Sequence, residues 1–114
     1  VCADAIPADS AAYDIGPATA RMFLHELRGA QTILWAGPMG MYEQPAFARG
    51  TMAMIRGMPR AAYSVAGGGD TLAAIHKVHA AGRFDLLSTS GSAMLEYLAG
   101  GQLPALRALG RAKK

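Results

Sequence analysis

Three times along the chain, a short β-prone run ends in a turn of small residues and passes directly into a helical pattern. The runs are Thr32–Trp35, the apolar stretch from Ala61 to Ala66, and Asp85–Thr89. The turns that follow are Ala36-Gly37-Pro38-Met39-Gly40, Gly67-Gly68-Gly69 and Ser90-Gly91-Ser92. This spacing is near the roughly 30 residues of a strand–helix–strand unit. Apolar strands alternating with helices predict an α/β fold with a parallel sheet covered on both faces. Right-handed crossovers place all three turns at the carboxyl edge of that sheet, where open α/β sheets bind ligands. Three strands leave unpaired edges, so the expected architecture is a partial Rossmann-like three-layer sandwich holding about three strands of a larger sheet.

The middle turn carries the most chemistry. Glycines let a backbone approach a bulky ligand and adopt positive φ at no steric cost. The first amides of the helix behind Gly69 have no internal partners and carry partial positive charge, which favours phosphate. Asp70 and Thr71 then stand where a magnesium ion bound to that phosphate needs oxygen ligands. On the turn alone, a helix cap is the favoured reading of Asp70, and Thr71 could be an ordinary first-turn residue.

The helices follow from periodicity and stop signals. Pro17 near a first helical position and Gly29 bracket one helix, with Ala20, Phe23, Leu24 and Leu27 at helical spacing. A second helix is expected from about Pro45 to Met58, with Phe47, Met54 and Met58 on one face. Gly50 within it should weaken it by ~1 kcal/mol relative to alanine. A third follows the Gly67-Gly68-Gly69 turn and closes at Gly82, with Leu72, Ile75 and Val78 on its buried face. A fourth carries Met94, Leu95 and Leu98, and a last short piece begins at Pro104. Val1–Ala3 reads as the tail of a strand, Ala5–Tyr13 as a loop around Pro7, and Arg111–Lys114 as a frayed end.

Size and composition bound the remaining possibilities. One domain fits in 114 residues, 52% of them apolar. No run reaches the ~20 apolar residues of a membrane span. Val1 is not an initiator residue, which predicts a chain that begins inside something longer or has been processed. The single cysteine, Cys2, offers no internal disulfide and suits a reducing, cytosolic setting. The net charge is +3, but the arginines are scattered and not interleaved with aromatics, which argues against nucleic acid. His76 and His79 lie three apart, without a cysteine or acid cluster to complete a metal site, and His25 stands alone. The seven methionines read as core filler. Trp35 is expected beneath the Gly37-Pro38 turn.

Several motifs occur together in a fixed order: Asp14-Ile15-Gly16-Pro17 with Thr19; Leu34-Trp35, Gly37-Pro38-Met39-Gly40 and Glu43; Gly67-Gly68-Gly69-Asp70-Thr71; then Ser88-Thr89 with Gly91, Ala93, Leu95 and Glu96. In this register they resemble the carboxyl-terminal stretch of the phosphoglycerate kinase family, over about Val1 to Leu109. The resemblance implies that residues 1–114 form the carboxyl-terminal portion of a nucleotide-binding domain. It implies a cytoplasmic, monomeric glycolytic enzyme that moves a phosphoryl group between 1,3-bisphosphoglycerate and ADP, giving 3-phosphoglycerate and ATP. Its cofactor is magnesium with ADP or ATP. The phosphoglycerate is held by an amino-terminal basic patch that this stretch does not contain. Glu43 matches the glutamate that holds the ribose hydroxyls. Gly68, Gly69 and Asp70 match the phosphate and magnesium contacts, and Thr71 matches a further phosphate contact. Gly91 opens the helix that points at the transferred phosphoryl group.

Two departures from the family pattern stand out. Ala36 replaces an asparagine, removing one polar contact, and Ser90 and Ser92 replace glycines where a phosphate must come close. Phosphoryl transfer rests on positioning two substrates, so a chain with one side of the site is expected to show negligible kinase activity alone. A rival reading is a non-catalytic remnant that associates, with itself or another chain, through an open sheet edge.

Overall fold

The computed structural model describes residues 3–110. Residues Val1 and Cys2, and Arg111–Lys114, lie outside the described residues, as do the expectations that fall on them. The elements run α1 (Pro17–Leu27), β1 (Thr32–Ala36), α2 (Arg49–Gly57), β2 (Tyr63–Gly67), α3 (Gly69–Lys77), β3 (Leu86–Ser88), α4 (Gly91–Leu98) and α5 (Pro104–Ala108). Ala3–Ala5 forms a 3-10 turn, not the tail of a strand. None of the described helices is long and apolar enough to cross a membrane.

The three strands form one parallel sheet in the order β1-β2-β3. Parallel register puts Trp35, Ala66 and Leu87 on one face and Leu34, Val65 and Leu86 on the other. The first face carries the core, where Ile33 and Trp35 meet Met54 and Ile55 of α2, Met58 just past its end, and Ala74 and Ile75 of α3. Over the second face α4 packs on β2, with Met94 against Gly67. Leu34 and Leu86 remain 45% and 49% exposed, so this face is only partly covered. Of the apolar residues of α4, Ala93 and Met94 are half-buried, whereas Leu95 and Leu98 face solvent.

Two helices differ from their expected spans. The Pro45–Met58 stretch is a 3-10 turn (Pro45–Phe47) followed by α2, because the Phe47 ring turns toward Tyr13, with centroids 5.1 Å apart, rather than joining Met54. The chain reorients at buried Ala48. Gly50, expected only as a weak point, is where the Asp14 carboxylate enters. Asp14 Oδ2 accepts from the Gly50 amide at 2.8 Å and Oδ1 accepts from the Ile15 amide at 2.8 Å. Asp14 therefore caps α2 from 36 residues away, whereas the sequence places it at the start of α1.

Helix α3 stops at Lys77, five residues before Gly82. His79 takes φ +53, a conformation histidine tolerates better than most residues, so it lies outside the helix. The reversal buries Ala80 and sends Arg83 to the end of α2. On α3 itself Thr71, Ala74 and Ile75 are buried, while Leu72 and Val78 are only partly so.

Two charged side chains lock these turns. Arg83 donates through Nε to the Ile55 carbonyl at 3.0 Å and through Nη2 to the Arg56 carbonyl at 2.6 Å, satisfying carbonyls that a helix C-terminus leaves open. Replacing Arg83 with alanine is expected to cost about 1.5 kcal/mol, with lysine recovering only part because one ammonium cannot copy the guanidinium fork. Urea denaturation of both variants measures this. Asp85 Oδ2 accepts from the Ser64 amide at 2.7 Å and from its hydroxyl at 2.9 Å, fixing the entry of β3 beside β2. These bonds hold the Asp85 carboxyl below its ordinary pKa, the Ser64 amide contributing most.

Candidate nucleotide cleft

The carboxyl ends of the strands meet at one open cleft of about 300 Å³. Ala36 and Gly37 reach it from β1, Gly67 to Thr71 from β2 and the start of α3, and Gly91, Ser92 and Leu95 from α4. Two helix N-termini therefore converge there. Gly68 has φ +103, and its amide donates to the Ser88 carbonyl at 3.1 Å. A Cβ on Gly91 would lie 3.2 Å from the Gly68 Cα and 3.4 Å from its nitrogen. Glycine at both positions lets the two backbones abut, so that α3 and α4 open side by side.

The amides available at the cleft follow from the helix ladders. The first intrahelical bond of α3 runs from the Leu72 amide to the Gly68 carbonyl. The amides of Gly69, Asp70 and Thr71 precede it and have no partner within the helix. A Cβ on Gly69 would meet nothing within 4 Å, so the mouth of the cleft is open at that point. In α4 the Ser90 hydroxyl accepts from the Ala93 amide at 3.3 Å. Ser90 thus serves as a cap and leaves the Gly91 and Ser92 amides at the front.

Asp70 is exposed in the first turn of α3, and its carboxylate accepts no hydrogen bond from the described residues. It does not cap the helix, which begins at Gly68 without a side-chain cap. Thr71 is fully buried, and its Oγ1 accepts from the Gly37 amide at 2.7 Å. That bond ties the β1 turn to α3 and leaves the threonine O–H as a donor. Thr51 ties the same turn to α2, accepting from the Met39 amide at 3.0 Å. Trp35 lies under this turn, donating to the Gly37 carbonyl and facing Phe84 at 5.9 Å.

Gly68, Gly69, Asp70, Thr71 and Gly91 are therefore brought together, and Glu43 is not among the cleft's lining residues. Glu43 is exposed on the loop between β1 and α2. Lys77 holds that loop to α3, donating to the Tyr42 carbonyl at 3.2 Å and the Glu43 carbonyl at 3.5 Å. Burial, with smaller contributions from the charges of Asp70 and Glu43, pushes the Tyr42 phenol above its ordinary pKa. Thr51 and Lys77 were not singled out from sequence; the one available signal was a lysine two helical turns after Asp70.

Among the described residues no group of three or more His, Cys, Asp or Glu side chains could cage a metal. One free carboxylate beside unpaired amides fits magnesium, which takes one or two carboxylates together with substrate phosphates and water. A larger groove of about 390 Å³ between α1 and α2 is lined mainly by aliphatic residues such as Ile15, Pro17 and Leu24, and lacks this convergence of amides.

Fold and cleft together define a parallel α/β protein with an open cleft at the carboxyl ends of its strands, the edge at which open α/β sheets bind ligands. A family model described as "Phosphoglycerate kinase" matches residues 1–101, and the chain belongs to the phosphoglycerate kinase family. The phosphoglycerate kinase of Desulfosudis oleivorans is 47% identical over 112 residues, covering 97% of this chain and 28% of that protein. That of Pelotomaculum thermopropionicum is 50% identical over 107 residues, covering 93% of this chain and 27% of that protein. The solved structure of phosphoglycerate kinase from Coxiella burnetii superposes with a TM-score of 0.82 at 41% identity, over 96% of this chain and 29% of that one. The chain thus spans little more than a quarter of the length of the relatives it matches. These comparisons favour the kinase reading over an association module.

Proposed function

We propose that residues 1–114 are the carboxyl-terminal portion of a nucleotide-binding domain and hold magnesium-ADP or magnesium-ATP for a cytoplasmic phosphoglycerate kinase. The observation that carries this reading is the abutment of Gly68 and Gly91, which aims two helix N-termini at one cleft beside a carboxylate with no hydrogen-bond partner among the described residues. In the whole enzyme the reaction is reversible phosphoryl transfer between 1,3-bisphosphoglycerate and ADP, giving 3-phosphoglycerate and ATP.

The roles are those that the family resemblance implies, and the meeting of Gly68, Gly69, Asp70, Thr71 and Gly91 at one cleft supports all but that of Glu43. The Gly68–Gly69 turn accepts the nucleotide phosphates against the first amides of α3. Asp70 is the protein's ligand to magnesium, and Thr71 offers its O–H to a phosphate oxygen while its lone pair keeps the Gly37 amide. Gly91 presents the front of α4 to the transferring phosphoryl group. Glu43 takes the ribose hydroxyls from the loop clamped by Lys77. Bound magnesium supplies charge neutralisation on the phosphate oxygens. The other substrate, phosphoglycerate, is held by a basic patch outside these residues.

Calorimetric titration with ADP tests the reading. Saturable binding is expected in the presence of magnesium, with no turnover of ATP and 3-phosphoglycerate by this chain alone. Absence of binding up to millimolar magnesium-ADP would contradict it.

A further inference from the structure

We propose that Lys77 is a positioning residue that sets the ribose end of the nucleotide site at a fixed distance from its phosphate end, a role that rests on the nucleotide reading above. Asp70 and Lys77 both belong to α3, seven residues apart. Seven residues are about two turns and roughly 10.5 Å of axial rise, and bring the two side chains to nearly the same face. One end of the helix therefore carries the phosphate and magnesium groups, and the other carries the ammonium that grips the Glu43 loop.

That grip is the hydrogen-bonded tie of residues 42 and 43 to α3, set beyond the Thr71–Gly37 bond at the start of the same loop. The backbone amides of residues 41–44 bond locally, Tyr42 to the Gly40 carbonyl and Gln44 to the Met41 carbonyl, or reach back to Tyr13 from Met41. The ammonium of Lys77 instead crosses 35 positions to the Tyr42 carbonyl and 34 to the Glu43 carbonyl. Among the described residues no carboxylate pairs with Lys77, so its charge is committed to these two carbonyls. Tyr42 is buried directly beside the clamp, which gives the loop a fixed pivot. With the pivot and clamp in place, the Glu43 side chain projects from a loop whose position is referred to the same helix that holds Asp70.

The test compares ADP with 2′-deoxy-ADP, both with magnesium, in the whole 114-residue chain. A site that hydrogen-bonds a ligand hydroxyl discriminates strongly against the analogue lacking it. The unaltered chain is expected to favour ADP by about tenfold, a preference of the size one lost hydrogen bond to a charged group produces. Lys77→Met is expected to bring that preference below about twofold while binding of 2′-deoxy-ADP stays near its original strength. Lys77→Arg, whose fork can span the same carbonyls, is expected to restore the preference. A second Glu43→Gln change should add no further loss to Lys77→Met.

A preference retained in Lys77→Met, or absent from the unaltered chain, would overturn the proposal. So would equal losses for both ligands, which a merely structural lysine would give. If the unaltered chain binds ADP, any of these outcomes leaves the nucleotide reading standing. If it binds neither ligand, that reading falls and takes this proposal with it. Should Lys77→Met not fold, Lys77→Gln carries the same comparison.

Discussion

Gly50→Ala is expected to destabilise the fold by about 2 kcal/mol net, although alanine is the better helix former by ~1 kcal/mol. A Cβ at this position would overlap Asp14 Oδ1 and Ile15 Cγ1. The contacted atoms cannot simply swing aside, since Asp14 is pinned by the Ile15 and Gly50 amides at once. Moving the carboxylate removes the acceptor that serves the α2 N-terminus, a loss typically worth ~1 kcal/mol. Forcing the overlap costs a further 1–3 kcal/mol or so. These terms exceed the propensity gain, so the sign is set by packing. A midpoint lower by roughly 10 °C in thermal unfolding is the corresponding result for a domain of this size. An unchanged or raised midpoint would mean that Asp14 does not cap α2.

Asp70→Ala is expected to weaken magnesium-ADP binding by about 30-fold while leaving magnesium-free ADP nearly unaffected, because in the proposed site the lost carboxylate is a ligand to the ion. Fold stability should change little. Asp70 makes no hydrogen bond to the described residues, so its structural contribution is limited to a favourable charge at a helix N-terminus, worth about 0.3–1 kcal/mol. Asp70→Asn keeps the shape and removes the charge, and should behave like alanine in binding. A cap would give the opposite pattern, with asparagine close to the original in both stability and binding. Calorimetry with and without magnesium, alongside urea denaturation, separates the two roles. Equal losses with and without the ion would remove Asp70 from the metal.

How far the fold could be read from sequence depended on whether its cause was local. The three strand–turn–helix units were legible because glycine, proline and β-branched residues mark them within a few positions. Their parallel register and shared carboxyl edge then followed from handedness. The break before α2 was not legible, since it comes from Phe47 meeting Tyr13, a ring contact across 34 positions of chain. Nor was the reach of Asp14 to Gly50 or of Arg83 to the Ile55 carbonyl, both tertiary bonds to backbone that no window of sequence contains. The early end of α3 at Lys77 reflects the positive φ of His79, which a helical pattern of apolar residues conceals.

The candidate site divides along the same line. Gly68, Gly69, Asp70 and Thr71 are contiguous, and their gathering is a property of one turn. Gly91 joins them because β3 lies next to β2, which the order of strands implies. Glu43 was singled out through family resemblance. The structure ties its loop to α3 through Lys77, although Glu43 does not line the cleft. Thr71 shows a role that sequence could not anticipate, because its hydroxyl oxygen already serves the Gly37 amide. Any phosphate contact it makes must use the proton and not the lone pair.

The central claim is that a nucleotide's phosphates sit where the starts of α3 and α4 meet. Amide nuclear magnetic resonance during titration with magnesium-ADP addresses it residue by residue. The account predicts that the amides of Gly68, Gly69, Asp70 and Gly91 shift together along one saturating curve, with Glu43 following on the same curve. Shifts confined to the α1–α2 groove around Arg21 and Arg49, with the Gly68 and Gly91 amides unmoved at saturation, would contradict it.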